Sequence, residues 1–218
     1  MNPASDPDIN YGLLVMQGYD QIASLYESVR ADEVEPEINS FIELLVPGGE
    51  VLDIGCGAGV PITKALSQHF NVTGVDFSGE MIAFAKNNVP EATLYHADIM
   101  DIDLPISHFN AAVSFYTLFH IPKERHRAFF ERVNIWLKDG GYLLITLARE
   151  DEIPYIEEYL GVTMYWSNFG LGDYKEMLDE LGFEVLYIAS VGHGYSEGYE
   201  TPDEDHPLIL ARKITGSS

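Results

Sequence analysis

Residues Val51–Gly59 read VLDIGCGAG, and this stretch decides the fold. Val51-Leu52-Asp53-Ile54 is a short apolar run of the kind that forms a buried strand. Gly55, Gly57 and Gly59 follow at alternate positions, and Pro61–His69 then reads as a helix, with proline allowed in its first turn. Glycine lets the backbone turn sharply and lets a ligand approach the main chain. The helix start behind the loop offers free N–H groups. A tight strand–helix turn uses glycine for structural reasons as well, so two further features matter. Gly55-x-Gly57-x-Gly59, with Asp53 two residues earlier, departs from the dinucleotide fingerprint Gly-x-Gly-x-x-Gly, because Val60 stands at the third glycine position. Asp76 lies 21 residues after Gly55, at the end of the next predicted strand, where a carboxylate can accept both hydroxyl hydrogens of a ribose.

Outward from this stretch the pattern alternates. Strands are predicted at Val72–Asp76, Thr93–His96, Asn110–Tyr116 and Tyr142–Leu147. Helices are predicted at Ser78–Asn88, capped by Ser78, and at Lys123–Lys138, with Phe129, Val133 and Leu137 on one face. Asp98, in HADI, is expected to end the third strand. Alternation of this kind implies a parallel sheet with helices on both faces. Upstream, Gly18–Arg30 reads as a helix with a stripe of Ile22, Leu25, Tyr26 and Val29, and a second helix runs over about Val34–Val46. The first ten residues read as frayed. Downstream, Arg149–Gly172 breaks the rhythm with acids and aromatics and reads as an inserted cap. Asp173–Leu181 is a helix, and Phe183–Val191 and Pro207–Lys213 are two strands, antiparallel because no helix joins them.

The chain has 218 residues, a length that fits one domain or one domain with a cap. Thirty-five acids oppose twelve bases, a net of −23 that would repel a phosphate backbone or an anionic membrane. Residues 150–205 hold fifteen acids and one base, Lys175. That stretch is a solubilising surface, a cap favouring neutral or cationic small molecules, or an adaptation to high salt. There is no apolar run of about 18 residues and no signal-peptide pattern, and Cys56 is the one cysteine. A cytoplasmic protein, monomeric or homodimeric, with no nucleic-acid or membrane partner, is expected.

The chain resembles the class I S-adenosylmethionine-dependent methyltransferases, in their small-molecule branch. VLDIGCGAG is similar to the family's first motif, VTGVDFSGEMIAFAKNN (72–88) to its second and HADIMDIDLP (96–105) to its third. FNAAVSFYTLFHIP (109–122) and LKDGGYLLIT (137–146) resemble the fourth motif and the strand after it. The resemblance spans about residues 17–213. It implies a Rossmann-like, mostly parallel seven-stranded α/β sheet with an antiparallel terminal hairpin and a small cap. It also implies a helical lid over 1–46, a cofactor-binding core over 47–148, the cap at 149–172 and a completing helix and hairpin over 173–218.

The resemblance further implies S-adenosyl-L-methionine as cofactor. Gly55, Gly57 and Gly59 would let the backbone pass its methionine part, and Asp53 would support the loop. Asp76 would hold the ribose, Phe77 and Met81 would flank the adenine, and Asp98 and the Ile99 amide would meet the adenine edge. Phe115 would lie by the methionine chain, and Tyr19, Tyr26 and Arg30 would reach the cofactor from the lid. Met81, Tyr19 and Tyr26 are equally readable as packing residues. His120 is the candidate catalytic base, with a structural role as its alternative, and His126 is expected on an exposed helix face. Tyr116, His120, Tyr165, Trp166 and Phe169 are the candidate substrate pocket, and the cap aromatics could instead form the cap's own core. No Cys/His cluster has metal-ligand spacing, so no metal is expected. The function implied is O- or N-methylation of a small acceptor. An NAD-dependent oxidoreductase and a cofactor-binding protein without catalysis are the alternatives.

Overall fold

The computed structural model describes residues 9–29, 36–191 and 206–214. Arg30 and the acidic loop before the last strand fall outside them. The strands are β1 (Glu50–Ile54), β2 (Asn71–Asp76), β3 (Thr93–His96), β4 (Phe109–Ser114), β5 (Leu137–Thr146), β6 (Glu152–Tyr159), β7 (Val162–Asn168), β8 (Phe183–Val191) and β9 (His206–Lys213). Seven of them form one sheet in the order β3-β2-β1-β4-β5-β9-β8, parallel from β3 to β5 and antiparallel at β9 and β8. This is the expected Rossmann-like sheet with its terminal antiparallel pair.

The helices are α1 (Tyr11–Val29), α2 (Pro36–Leu44), α3 (Ile62–Ser67), α4 (Gly79–Asn88), α5 (His126–Trp136) and α6 (Leu171–Glu180). Successive strand residues point to opposite faces, so an apolar strand feeds two cores. On one face Phe129, Phe130 and Val133 of α5 and Tyr174 and Leu178 of α6 pack on Leu52, Ala112 and Leu143. On the other Ile38 and Phe41 of α2 and Leu66 of α3 pack on Val51, Val113 and Leu144. Ser78 caps α4 as expected, its hydroxyl accepting from the Met81 amide.

Four details differ from expectation. Helix α1 begins at Tyr11, and its buried residues are Val15, Gly18, Ile22, Ala23 and Val29, while Leu25 is exposed. Val15 and Gly18 extend the buried stripe one turn earlier, against Met164 of β7. Strand β3 stops at His96, which leaves Asp98 in the loop beyond it. Strand β4 stops at Ser114, because Tyr116 turns into positive φ (55°). The cap is itself a hairpin, a two-stranded sheet of β6 and β7 joined at Leu160-Gly161, where both residues have positive φ.

His126, expected on an exposed face, is fully buried. Its Nε2 lies 2.8 Å from the Ile121 carbonyl, which can accept but not donate, so Nε2 carries the proton. Nδ1 then accepts from the Tyr174 hydroxyl at 3.0 Å, and that oxygen accepts from the Phe169 amide at 3.1 Å. Burial lowers the His126 pKa from 6.5 to about 4, against the opposing pull of the Ile121 carbonyl. The folded protein therefore favours neutral imidazole, a contribution present above pH 6.5 and lost as pH falls toward 4. Between those limits the wild type should lose about 3 kcal/mol more stability than His126→Asn, read by urea unfolding at each pH. Parallel curves would show that His126 does not titrate in this way.

Candidate active site

Strand order reverses at β1, which has β2 on one side and β4 on the other, and a crevice opens beyond their carboxyl ends. A cavity of about 440 Å³ fills it. Gly55 and Gly57 line it from the loop after β1, Asp76 from the end of β2 with Phe77 beyond, and Asp98 and Ile99 from beyond β3. Phe115, Tyr116 and His120 line it from beyond β4, Met81 from α4, and Tyr19 and Tyr26 from α1.

The glycine loop is held from both sides. Gly55 has φ 72°, and a Cβ there would lie 1.9 Å from Thr117 Oγ1, which reaches the Ile54 carbonyl at 3.1 Å. Gly57 has φ 53° and nothing within 4 Å of a Cβ, so its side-chain direction is open space beside the cavity. Gly59 does not line the cavity and packs on Ala85 and Val89. Asp53 does not line it either. It is buried, and its Oδ2 accepts from Thr63 Oγ1 of α3 at 2.6 Å, which ties strand to helix beneath the loop. Burial raises its pKa to about 7, against the Thr63 hydrogen bond. Cys56 is buried too, and burial pushes its thiol up, so it is a poor nucleophile.

Asp76 is the polar centre of this half of the site. Its Oδ2 accepts from the Gly57 amide and its Oδ1 from the Ser78 amide, each at 2.9 Å. Burial raises its pKa to about 6, with both amides pulling it down. The Ser78 hydroxyl donates to Asp20 Oδ1 at 2.6 Å, and the Glu80 amide reaches the same oxygen, which fastens α1 to the start of α4.

The other half is aromatic. Tyr116, strained at positive φ, donates its amide to Thr146 Oγ1. His120 stands in a 3-10 turn, Leu118–His120, after β4. Its Nδ1 lies 2.8 Å from the Tyr165 carbonyl, so Nδ1 carries the proton. Nε2 lies 2.9 Å from the Tyr19 hydroxyl and accepts from it. Burial lowers the His120 pKa to about 4, which keeps the ring neutral.

The cap residues back this wall rather than line it. Tyr165 is buried and stacks on Tyr11, with ring centroids 4.3 Å apart. Trp166 stacks on Tyr155 and lies 5.6 Å from the His120 ring. Phe169 packs by His126 and Tyr174, away from the cavity. Thr63, Thr117 and Asp20 were not singled out from the sequence. Thr117 sits inside the fourth motif, but its contact with Gly55 spans 62 positions and has no local signature.

Methyltransferases are among the known proteins that this chain resembles. A family described as a methyltransferase domain matches residues 51–141. Phosphoethanolamine N-methyltransferase 3 of Arabidopsis thaliana is 32% identical over 157 residues, covering 67% of this chain and 31% of that protein. The putative methyltransferase YqeM of Bacillus subtilis is 24% identical over 206 residues, covering 88% and 79%. The chain thus spans less than a third of the first relative and most of the second. Among solved structures, the Burkholderia thailandensis 1,6-didemethyltoxoflavin-N1-methyltransferase, with its substrate and S-adenosylhomocysteine bound, superposes with a TM-score of 0.73 at 17% identity, covering 99% and 93%.

Proposed function

We propose that this chain, a member of the class I S-adenosylmethionine-dependent methyltransferases by its fold and its methyltransferase domain, methylates a small acceptor at oxygen or nitrogen. One observation carries the reading: a single cavity joins the Gly55–Gly57 cradle and Asp76 to Tyr19, Tyr116 and His120. The residues fit the cofactor. Open space faces Gly57, and the buried Asp76 carboxylate is presented to the cavity by two amides. When bound, S-adenosylmethionine supplies an electrophilic methyl group on sulfur. Asp76 binds the ribose, Asp98 and the Ile99 amide take the adenine edge between Phe77 and Met81, and Phe115 lies along the methionine chain. Asp53 and Gly59 act indirectly, by holding the loop. Helix α1, within a lid over 1–46, and the cap at 149–172 exclude water from the core at 47–148, which 173–218 completes. Arg30 and its expected contact with the cofactor lie outside the described residues.

His120 acts through Tyr19. Its Nε2 takes the Tyr19 proton in a hydrogen bond, which aims the tyrosine oxygen and polarises it. A hydroxyl acceptor could pass its proton to that oxygen as the Tyr19 proton shifts to Nε2, and an amine acceptor must attack as the neutral amine, so it needs orientation and the prior loss of any ammonium proton to solvent. Tyr19→Phe and His120→Ala should each lower kcat by roughly 10²-fold, and the double variant by little more, because the pair acts as one unit. S-adenosylhomocysteine affinity should fall far less than kcat, and His120→Ala should also lower the melting temperature, because it removes the donor to the Tyr165 carbonyl. Additive losses, or losses confined to KM, would count against the pairing.

The net charge of −23 argues against a nucleic-acid acceptor. Among the described residues no helix is long and apolar enough to cross a membrane. Calorimetry with S-adenosylmethionine, S-adenosylhomocysteine and NAD, followed by a methyl-transfer screen over small metabolites, tests the whole reading. Binding of NAD without response to either adenosyl ligand would overturn it. Tight adenosyl binding with no transfer to any acceptor would favour a non-catalytic binding protein.

A further inference from the structure

Arg125 is set apart from the bases around it. Lys123 pairs with Asp151 at 2.7 Å and donates to the Glu152 carbonyl. Arg127 reaches Glu180 at 2.8 Å and Glu131 at 3.5 Å. Arg132 donates to the Ile99 and Ile102 carbonyls and lies over the Trp136 ring. These three side chains are committed to protein partners. Arg125 lines the cavity, is exposed, and among the described residues its guanidinium has no carboxylate, carbonyl or ring partner. It precedes α5 without a side-chain cap bond, so it has no evident structural task there. Yet the chain carries 35 acids, and Asp98 and Asp101 share the same cavity wall.

An unquenched guanidinium in a cavity is a fork of donors matched to a carboxylate or phosphate. The whole-protein charge of −23 works against anions at long range. That field is screened beyond about 8 Å at physiological salt, while a direct hydrogen-bonded contact with Arg125 lies well inside that length. The combination rejects polyanions and admits one compact anionic group. Resting on the methyltransferase reading, the geometry points to Arg125 as the residue that selects an acceptor bearing a single carboxylate or phosphomonoester. The anion sits at the Arg125 side of the cavity, and the methylated atom faces Tyr19 and His120. An acceptor that also carries an amine would be close to net neutral, which agrees with the acidic cap.

The test is calorimetry on protein saturated with S-adenosylhomocysteine, using paired probes. One pair is 3-hydroxybenzoate and 3-hydroxybenzamide, and the other is O-phosphoethanolamine and ethanolamine. The wild type should bind the anionic member of at least one pair roughly ten-fold more tightly, and which pair responds separates carboxylate from phosphate. Arg125→Gln should bring that ratio near unity and Arg125→Lys should keep part of it, with melting temperature unchanged. Equal binding within both pairs, binding of neither anion, or a preference that survives Arg125→Gln overturns the proposal. A matching loss of S-adenosylhomocysteine affinity in Arg125→Gln also overturns it, because Arg125 would then hold the cofactor. Failure of the wild type to bind S-adenosylhomocysteine at all would instead remove the methyltransferase reading.

Discussion

Gly55→Ala should cost about 2–5 kcal/mol of folding stability and most of the affinity for S-adenosylhomocysteine. The added methyl would lie 1.9 Å from Thr117 Oγ1 and 2.7 Å from its Cγ2, distances that force a shift. Overpacking of this kind costs about 1–3 kcal/mol, and alanine at φ 72° adds roughly 1–2 kcal/mol. Thr117 has little freedom to withdraw, since its hydroxyl is held at the Ile54 and Phe115 carbonyls. The strain therefore falls on the loop that lines the cavity. Urea unfolding measures the first effect and calorimetry the second. Thr117→Ala removes two of the three atoms that clash, leaving its own Cβ 2.8 Å away, and should recover about half the lost stability in the double variant. A Gly55→Ala protein with wild-type stability would mean that the loop is looser than this contact implies. No rescue by Thr117→Ala would assign the loss to backbone strain together with the remaining Cβ contact.

The contrast between Gly55 and Asp98 shows what the sequence makes legible. The alternating glycines, Asp76 and the terminal strand pair are local signals, written in spacing and in apolar runs; the structure sets Gly55, Gly57 and Asp76 on the cavity beyond β1 and β2, and the terminal pair at the opposite side of the sheet. Ser78 is legible for the same reason, because a cap and its amide are three residues apart. The third strand is predicted and found at Thr93–His96, and Asp98, expected at its end, lies two residues beyond it, so the loop rather than the ladder sets its place at the cavity. His126 stands three residues before Phe129 and so shares the face of the apolar stripe, a position its ionisable side chain masks in the sequence, and its partners there are Ile121 and Tyr174, the latter 48 positions away. Asp20 reads as an ordinary helix-surface acid until α4 brings the Ser78 hydroxyl to it across 58 positions. The cap shows the same limit. Its acids and aromatics hide the alternation of a hairpin, and its aromatics stack on one another and on α1 behind the cavity. Contacts that close over long separations have no periodicity to read, and the acceptor side of this site is built from such contacts.

Cofactor affinity should fall as pH drops through about 6, and Asp76 should be the cause. In the free protein burial raises the Asp76 carboxyl to about 6, while the Gly57 and Ser78 amides and His96 pull the other way. Only the carboxylate can accept from both ribose hydroxyls and keep both amide bonds, because protonation converts one oxygen into a donor. Protonation therefore competes with binding. Affinity for S-adenosylhomocysteine should be flat above about pH 7 and fall by up to about ten-fold per unit below the Asp76 pKa. His120 also faces the cavity, but it titrates near 4 and would add a second, separate step. Asp76→Asn removes the charge and one acceptor, and should weaken binding by about 1–3 kcal/mol at neutral pH. It should also erase the step near pH 6. Acid unfolding would not imitate this pattern. Burial makes the neutral carboxyl the form favoured by the folded chain, so this group's contribution to cofactor-free stability rises as pH falls through 6. Affinity that is independent of pH between 5 and 7, or a step that persists in Asp76→Asn, would place the ribose contact on another residue.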